Sequence, residues 1–451
     1  MKKDTDLTTG SPFLLIGAFS FSLVVGNLFQ QMYTFVDTII IGKNAGTLGL
    51  AAVGGTEWLI FLVNGVVIGL VQGFCILLGN SFGEKNEEEF QRYYDRAKKI
   101  CIVLAVSLTL LFLMLSGVLL RLLGTKEEVY DMAREYVNII FLGIPFLVFY
   151  QLFSGALRSR GNSRIPLFAM TASSLCNIVL DILFVNILDF GIAGAALGTI
   201  LSECLVMLVC GYYFYKYSSC SASCVSFDNH KNENDGFDDK EITARLLRLG
   251  IPMALQSVIT SVGGLIVVNR INQYDITFLA GYTAAVKLYG LLEIAASSFG
   301  LAAAAYVSQN YGAGKKSRIR EGVRASLIMG TAVSVLCSAV MFFGGQGILR
   351  LFVDTSEATG EILSYGCRFL NILAVFFPFL YSLYILRAAL QGINNAVVPM
   401  LSSFAQLAMR LLCAVVLTKF IGSDGIFWGE VSAWLFADMI LFAVYWKQMK
   451  N

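Results

Sequence analysis

Asp37 lies in the stretch YTFVDTIII (33–41), where the nearest basic residue is Lys43. An ionised carboxylate is costly in hydrocarbon. It either reaches water at the membrane edge or faces a bundle interior where a cation meets it. Gly42, about 7–8 Å further at helical rise, keeps the first reading open. A second stretch, LCNIVLDILF, holds Asn177 and Asp181 at i and i+4, on one side of a helix. A third, GIAGAALGT (191–199), sets Thr199 about 12 Å into its helix and Ala195 one turn earlier. Two carboxylates, an amide and a hydroxyl then fall at similar depth. All offer oxygen, the ligand of hard cations such as Na⁺, with Asp37, Asn177, Asp181 and Thr199 as the candidate set. A buried carboxylate pair can equally carry a proton, and both readings stay open.

Other charges sit in apolar runs. Glu203 follows Thr199 by one turn, as a third acid or as the partner of a Lys or Arg. Glu293 is a further candidate acid. Lys287 is six residues before it and off its face, so the two do not pair directly. Glu57 and Asp438 lie near the ends of their runs and are expected to reach water. Gly65, Gly69 and Gly73 form a tandem GxxxG, a close-packing face. The basic loops RSRGNSR and GAGKKSRIR need no role beyond fixing topology. Around Gly314 and Lys315 a phosphate loop fails, because Gln309 and Lys316 stand where Gly and Ser or Thr are required. Cys220, Cys224 and His230 do not make a zinc pattern. Asp37 and Asp181 also lack the sequence contexts of an intramembrane aspartyl protease, so no enzyme is expected. Neither a cofactor nor a nucleic-acid partner is expected.

The elements that carry these residues are membrane helices. The chain has 451 residues, 57% hydrophobic and 14% charged. Soluble domains carry about 25% charged residues. Its mean hydropathy is +0.70. The apolar runs are continuous rather than alternating, which excludes barrel strands. Twelve spans are predicted near 13–42, 50–80, 95–120, 130–157, 165–189, 191–217, 245–271, 278–309, 322–349, 359–388, 397–420 and 425–446. The polar stretch 218–243 reads as a flexible cytoplasmic linker between an N-lobe (1–217) and a C-lobe (244–451), six spans each. With the N-terminus cytoplasmic, 23 of the 33 Lys and Arg fall in inner segments, Arg387 among them, and 7 in outer ones. Lys287, Arg368 and Arg410 lie within spans. The bias places both termini in the cytoplasm.

The halves repeat. LLGNSFGEKN (77–86) parallels VSQNYGAGKK (307–316) with Gly83 on Gly312, ALRSRGNSRIP (156–166) parallels ALQGINNAVVP (389–399) with Pro166 on Pro399, and GIAGAALG (191–198) parallels GSDGIFWG (422–429); these matches have offsets of 229, 233 and 231. Six spans per half is an even number. The lobes therefore share orientation and are expected to flank a central cavity about an axis along the membrane normal.

The set NLFQQMYTFVDTIIIG (27–42), LRSRGNSRIP (157–166), NIVLDILF (177–184), GIAGAALGT (191–199) and YVSQNYGAG (306–314) resembles the multidrug and toxic compound extrusion (MATE) family over essentially the whole chain. The resemblance implies an all-α membrane protein of two six-helix lobes in a V. It implies antiport of organic, drug-like cations against Na⁺ or H⁺ by rocking lobes, in the plasma (inner) membrane and as a monomer. It implies a cation site in the N-lobe at Asp37, Asn177, Asp181, Ala195 and Thr199. The residues depart from the family pattern in places. Ser22 replaces a frequent Pro on helix one, while Pro252 stays in the second half. Thr260 replaces a Glu of one branch, and Glu203 replaces a Gln. A flippase for lipid-linked precursors, from the same superfamily, is the alternative.

Overall fold

The computed structural model describes residues 5–222, 238–271, 273–351 and 359–450. Helices dominate and no strand occurs among the described residues. In lipid this follows from the backbone, because only helices and closed barrels satisfy every N–H and C=O there. In chain order come α1 (Pro12–Asn44), α2 (Gly46–Gly83), α3 (Glu87–Leu122), α4 (Glu127–Leu142), α5 (Ile144–Ser159), α6 (Arg164–Asp181) with a π-helical continuation Ile182–Ile187, and α7 (Gly191–Ala222). Then come α8 (Asp239–Ile271), α9 (Ile276–Gly312), α10 (Lys316–Ala339), a π segment Val340–Gly344, α11 (Gly345–Leu349), α12 (Thr359–Gly392), α13 (Val397–Leu412), a π segment Cys413–Leu417, α14 (Thr418–Ile421) and α15 (Asp424–Lys450). Eleven of these spans are long and apolar enough to cross a membrane alone. The pair α4 and α5, bent by 42° at Gly143, makes a twelfth.

The bend was not predicted within the span 130–157. Pro145 opens α5 and cannot donate a backbone hydrogen bond to α4. Pro378, at the repeat offset of 233, lies inside an uninterrupted α12. Helices α7 and α8 also reach into the polar stretch 218–243 from both ends. Residues 223–237, with Cys224 and His230, lie outside the described residues.

The repeat extends to the turns. After α2, Glu84, Lys85 and Asn86 donate backbone bonds to the carbonyls of Asn80, Phe82 and Ser81. After α9, Ala313, Gly314 and Lys315 donate to Gln309, Tyr311 and Asn310 in the same pattern. Lys85 and Gly314 hold φ of 60° and 69°. The turns after α5 and α12 match likewise. The side-chain oxygens of Asn162 and Asn395 accept from the backbone N–H of Ile165 and Val398 at 3.2 and 3.3 Å. Both π segments that follow α6 and α13 recur at this spacing.

The chain forms two compact units, and each takes a piece of the other's first helix. One unit holds Val25–Ala254, the other Leu7–Val24 and Leu255 onward. In the first unit the start of α8 packs on the small face of α2. A Cβ on Gly69 would lie 2.6 Å from the Met253 carbonyl, and one on Gly73 would lie 2.6 Å from Gly250 Cα. The tandem GxxxG is thus a close-packing face at Gly69 and Gly73. Arg96 secures the same segment through Asp239 (3.0 Å) and Thr243. In the second unit Gln309, Asn310, Lys315 and Arg318 bind the backbone of Leu7, Thr8 and Gly10 just before α1.

Arg160 and Asp438 depart from the sequence reading. Arg160, in a loop assigned only to topology, is 1% exposed. It pairs with Glu87 and lies 4.3 Å from the Phe90 ring centre. Asp438, expected to reach water, is 8% exposed. A helix end at the water boundary does not free a side chain that neighbouring helices cover.

Candidate functional site

Within the first unit α1 and α6 run in parallel register. A Cβ on Gly26 would touch the Met170 sulfur at 3.3 Å, which sets those residues side by side. Eleven residues further along each helix stand Asp37 and Asp181. Beyond them Asn44 Nδ2 donates to Asn186 Oδ1 at 2.7 Å and ties α1 to the π segment. The register therefore sets the two carboxylates level, within electrostatic reach of each other. On the other side α7 closes in. Ser173 Oγ donates to the Ser202 carbonyl at 2.7 Å, pinning α6 to α7 one turn before Asn177. A Cβ on Gly198 would lie 2.3 Å from Asp181 Oδ1. Glycine is required there because the carboxylate occupies that space.

Asn177 and Asp181 are fully buried and Asp37 is 8% exposed. Asp37 Oδ1, both Asp181 oxygens and both polar atoms of the Asn177 amide have no hydrogen-bond partner among the described residues. Burying such groups unpaired is expensive, by several kcal/mol or so for each charge, and so is unusual without a ligand. Thr199 Oγ1 donates to the Ala195 carbonyl at 3.1 Å, leaving the hydroxyl lone pairs free to accept or coordinate. Asp181 is also the last α-helical residue before the π segment. Such segments widen a helix locally and recur at functional sites.

Glu203 is partly buried on α7, within electrostatic reach of Tyr33, and has no ion pair among the described residues. Glu293 lies in the other unit and accepts a hydrogen bond from Tyr384 at 2.8 Å. Tyr33 and Tyr136, which sequence reasoning missed, lie within electrostatic reach of Asp37, and Tyr136 of Asp181 too. Nothing in the sequence singles them out among 19 tyrosines and 34 phenylalanines. Ser22 donates to the Ala18 carbonyl at 3.0 Å within an unbroken α1.

The MatE family profile matches residues 23–183 and 252–416, one stretch in each repeat. The chain belongs to the MATE family. It is a multi-pass membrane protein. It is 26% identical over 453 residues to the probable multidrug resistance protein YpnP of Bacillus subtilis, covering 99% of each chain. It is 25% identical to the probable multidrug resistance protein YoeA of the same organism, over 94% of this chain and 92% of that one. Among solved structures, the outward-facing conformation of a multidrug resistance MATE family transporter aligns with a TM-score of 0.89 at 22% identity, covering 100% of this chain and 98% of that one. The all-helical MATE fold agrees with the sequence reading.

Proposed function

We propose that this MATE-family protein is a secondary antiporter that exports organic, drug-like compounds in exchange for Na⁺ or H⁺. The observation that carries the reading is the set of buried oxygens without partners on Asp37, Asn177 and Asp181. A cation entering among them neutralises carboxylates that no described residue pairs with. Asp37 and Asp181 hold it by charge, while Asn177, Thr199 and the Ala195 carbonyl complete an oxygen shell. Glu203 is a further acid of the same unit. The names of the Bacillus relatives support a drug-like substrate.

In this reading the ion enters from outside and disfavours the organic substrate. Linkage makes that antagonism reciprocal. The lobes then rock, and substrate from the cytoplasm displaces the ion. Both termini lie in the cytoplasm, the protein sits in the plasma membrane, and the monomer suffices. The decisive experiment is ethidium efflux from proteoliposomes under an Na⁺ or a pH gradient, imposed one at a time. One of the two gradients should drive efflux, and Asp37→Asn should abolish it. Undiminished gradient-driven efflux by that variant sinks the reading.

A further inference from the structure

The repeat carries the candidate cation site onto a different set of residues in the second unit. The offset of 233 takes Asn177 to Arg410 and Asp181 to Ala414, and the offset of 231 takes Thr199 to Glu430. Offsets of 229 and 230 take Asp37 to Ile266 and Val267. Both aspartates are gone. In their place Arg410 and Glu430 form an ion pair of 2.7 Å with side chains 13% and 14% exposed. The guanidinium packs over α8, where a Cβ on Gly263 would stand 3.4 Å from Nη1. A built-in cation replaces a site for a free one.

Arg387 stands nearby on α12. It falls in a predicted cytoplasmic segment, but its Nε and Nη2 are buried without an acceptor among the described residues. It has no ion pair or hydrogen bond among the described residues, and its guanidinium lies 5.7 Å from the Tyr384 ring centre. Tyr384, Arg410, Asp438 and Glu293 are the titratable and charged groups within its electrostatic reach. None satisfies it. Glu430 is engaged with Arg410, Glu293 accepts from Tyr384, and Asp438 is farther than an ion pair allows. Among the described residues Arg410 Nε also lacks an acceptor, and Asp438 Oδ1 lacks a donor.

Two buried guanidinium groups in reach of each other repel, and their free N–H groups are costly. One planar oxyanion relieves both, because the guanidinium fork matches a carboxylate or phosphate. The free oxygen of Asp438 calls for a donor at the same time. Aromatic rings line the surroundings, with Tyr289 and Trp434 stacked at 6.1 Å. We propose that the second unit holds an oxyanion subsite at Arg387 and Arg410 that takes the anionic group of an aromatic, amphoteric solute, whose amine faces Asp438. The proposal rests on the exporter reading and narrows its substrates from simple cations to molecules carrying both charges.

The test is equilibrium binding by the purified full chain, with no gradient, of rhodamine B and its ethyl ester. The two dyes share ring and amines, and only the first carries a carboxylate. Rhodamine B should bind about tenfold tighter or more, as a charge-assisted pair provides. Arg387→Gln should bring the ratio close to one, and Arg387→Lys should restore part of it. A wild-type ratio near one overturns the proposal, as does a ratio that survives Arg387→Gln in a monodisperse protein. Should that variant fail to fold, the wild-type ratio and Arg387→Lys decide. Because binding needs no gradient, a failure of the exporter reading leaves this result readable.

Discussion

Asp181 Oδ1 occupies the space that a side chain on Gly198 would need, only 2.3 Å from where its Cβ would stand. The carboxylate is thereby aimed across α7 rather than along α6. Gly198→Ala should push it away from Asn177 and Asp37 while adding one methyl group. Overpacking of this kind costs about 1–3 kcal/mol. We expect gradient-driven efflux to fall at least about tenfold, a loss of geometry worth about 1.4 kcal/mol in the transport step. Efflux equal to wild type in proteoliposomes would show that the Asp181 position does not matter.

Reciprocal linkage gives a second prediction. If the ion and the organic substrate oppose each other, the apparent Kd for ethidium rises as the coupling ion is added. Asp181→Asn removes one of the two charges proposed to hold the ion, so the dependence should flatten. Titrating Na⁺ at fixed pH, then pH without Na⁺, identifies the ion. A variant whose ethidium affinity still responds like wild type removes Asp181 from the site.

The spans and the repeat were legible because hydropathy and turn residues are local signals. Asp37, Asn177 and Asp181 were legible because a charge in an apolar run is rare and its spacing places it on a face. Their similar depth was legible too, but not that α1 and α6 lie side by side, since that depends on Gly26 meeting Met170 across two helices. Nor was the burial of Asp438 or Arg160, which depends on neighbours distant in sequence. Arg410 was noticed alone, but its partner Glu430 lies on another helix, and only the repeat offset relates the pair to Asn177 and Thr199. Arg387 reads as a cytoplasmic charge because it falls at the end of its apolar run, and its burial depends on neighbours distant in sequence.

Arg160 carries a stability prediction. Its side chain is 2% exposed, against 32% for its partner Glu87. Arg160→Leu leaves Glu87 without its partner and removes the guanidinium from the Phe90 ring. Removing one member of a buried pair costs about 3–5 kcal/mol, and the partial hydration of Glu87 points to about 3. Glu87→Gln should cost less, because a neutral amide still accepts from the guanidinium. Thermal unfolding in detergent should rank wild type above Glu87→Gln above Arg160→Leu. Equal midpoints for the last two would remove the pairing as the cause.

The packing of α8 on α2 gives a fourth. A Cβ on Gly73 would meet the Gly250 Cα at 2.6 Å, a backbone atom that no rotamer change can move. Gly73→Val should therefore separate the two helices and lower thermal stability by about 1–3 kcal/mol. Gly54→Val serves as the control, since a Cβ on Gly54 meets nothing within 4 Å. Indistinguishable midpoints for the two variants would refute the close approach.

The Arg410–Glu430 pair separates charge balance from packing. Arg410→Met leaves Glu430 buried without a partner, and Glu430→Leu leaves the guanidinium so. Each should destabilise by about 3–5 kcal/mol. The double variant removes both charges, and a buried pair replaced by well-packed apolar residues is often neutral. Its midpoint should thus lie nearer wild type than either single variant, with a coupling of about 0.5–3 kcal/mol in the cycle. Stability and binding should part company there. The double variant keeps the helices packed but lacks one of the two guanidinium groups, so its preference for rhodamine B over the ester should shrink even where its midpoint recovers. Additive losses in the cycle would show that Arg410 and Glu430 act independently, and that the repeat has placed two unrelated charges side by side.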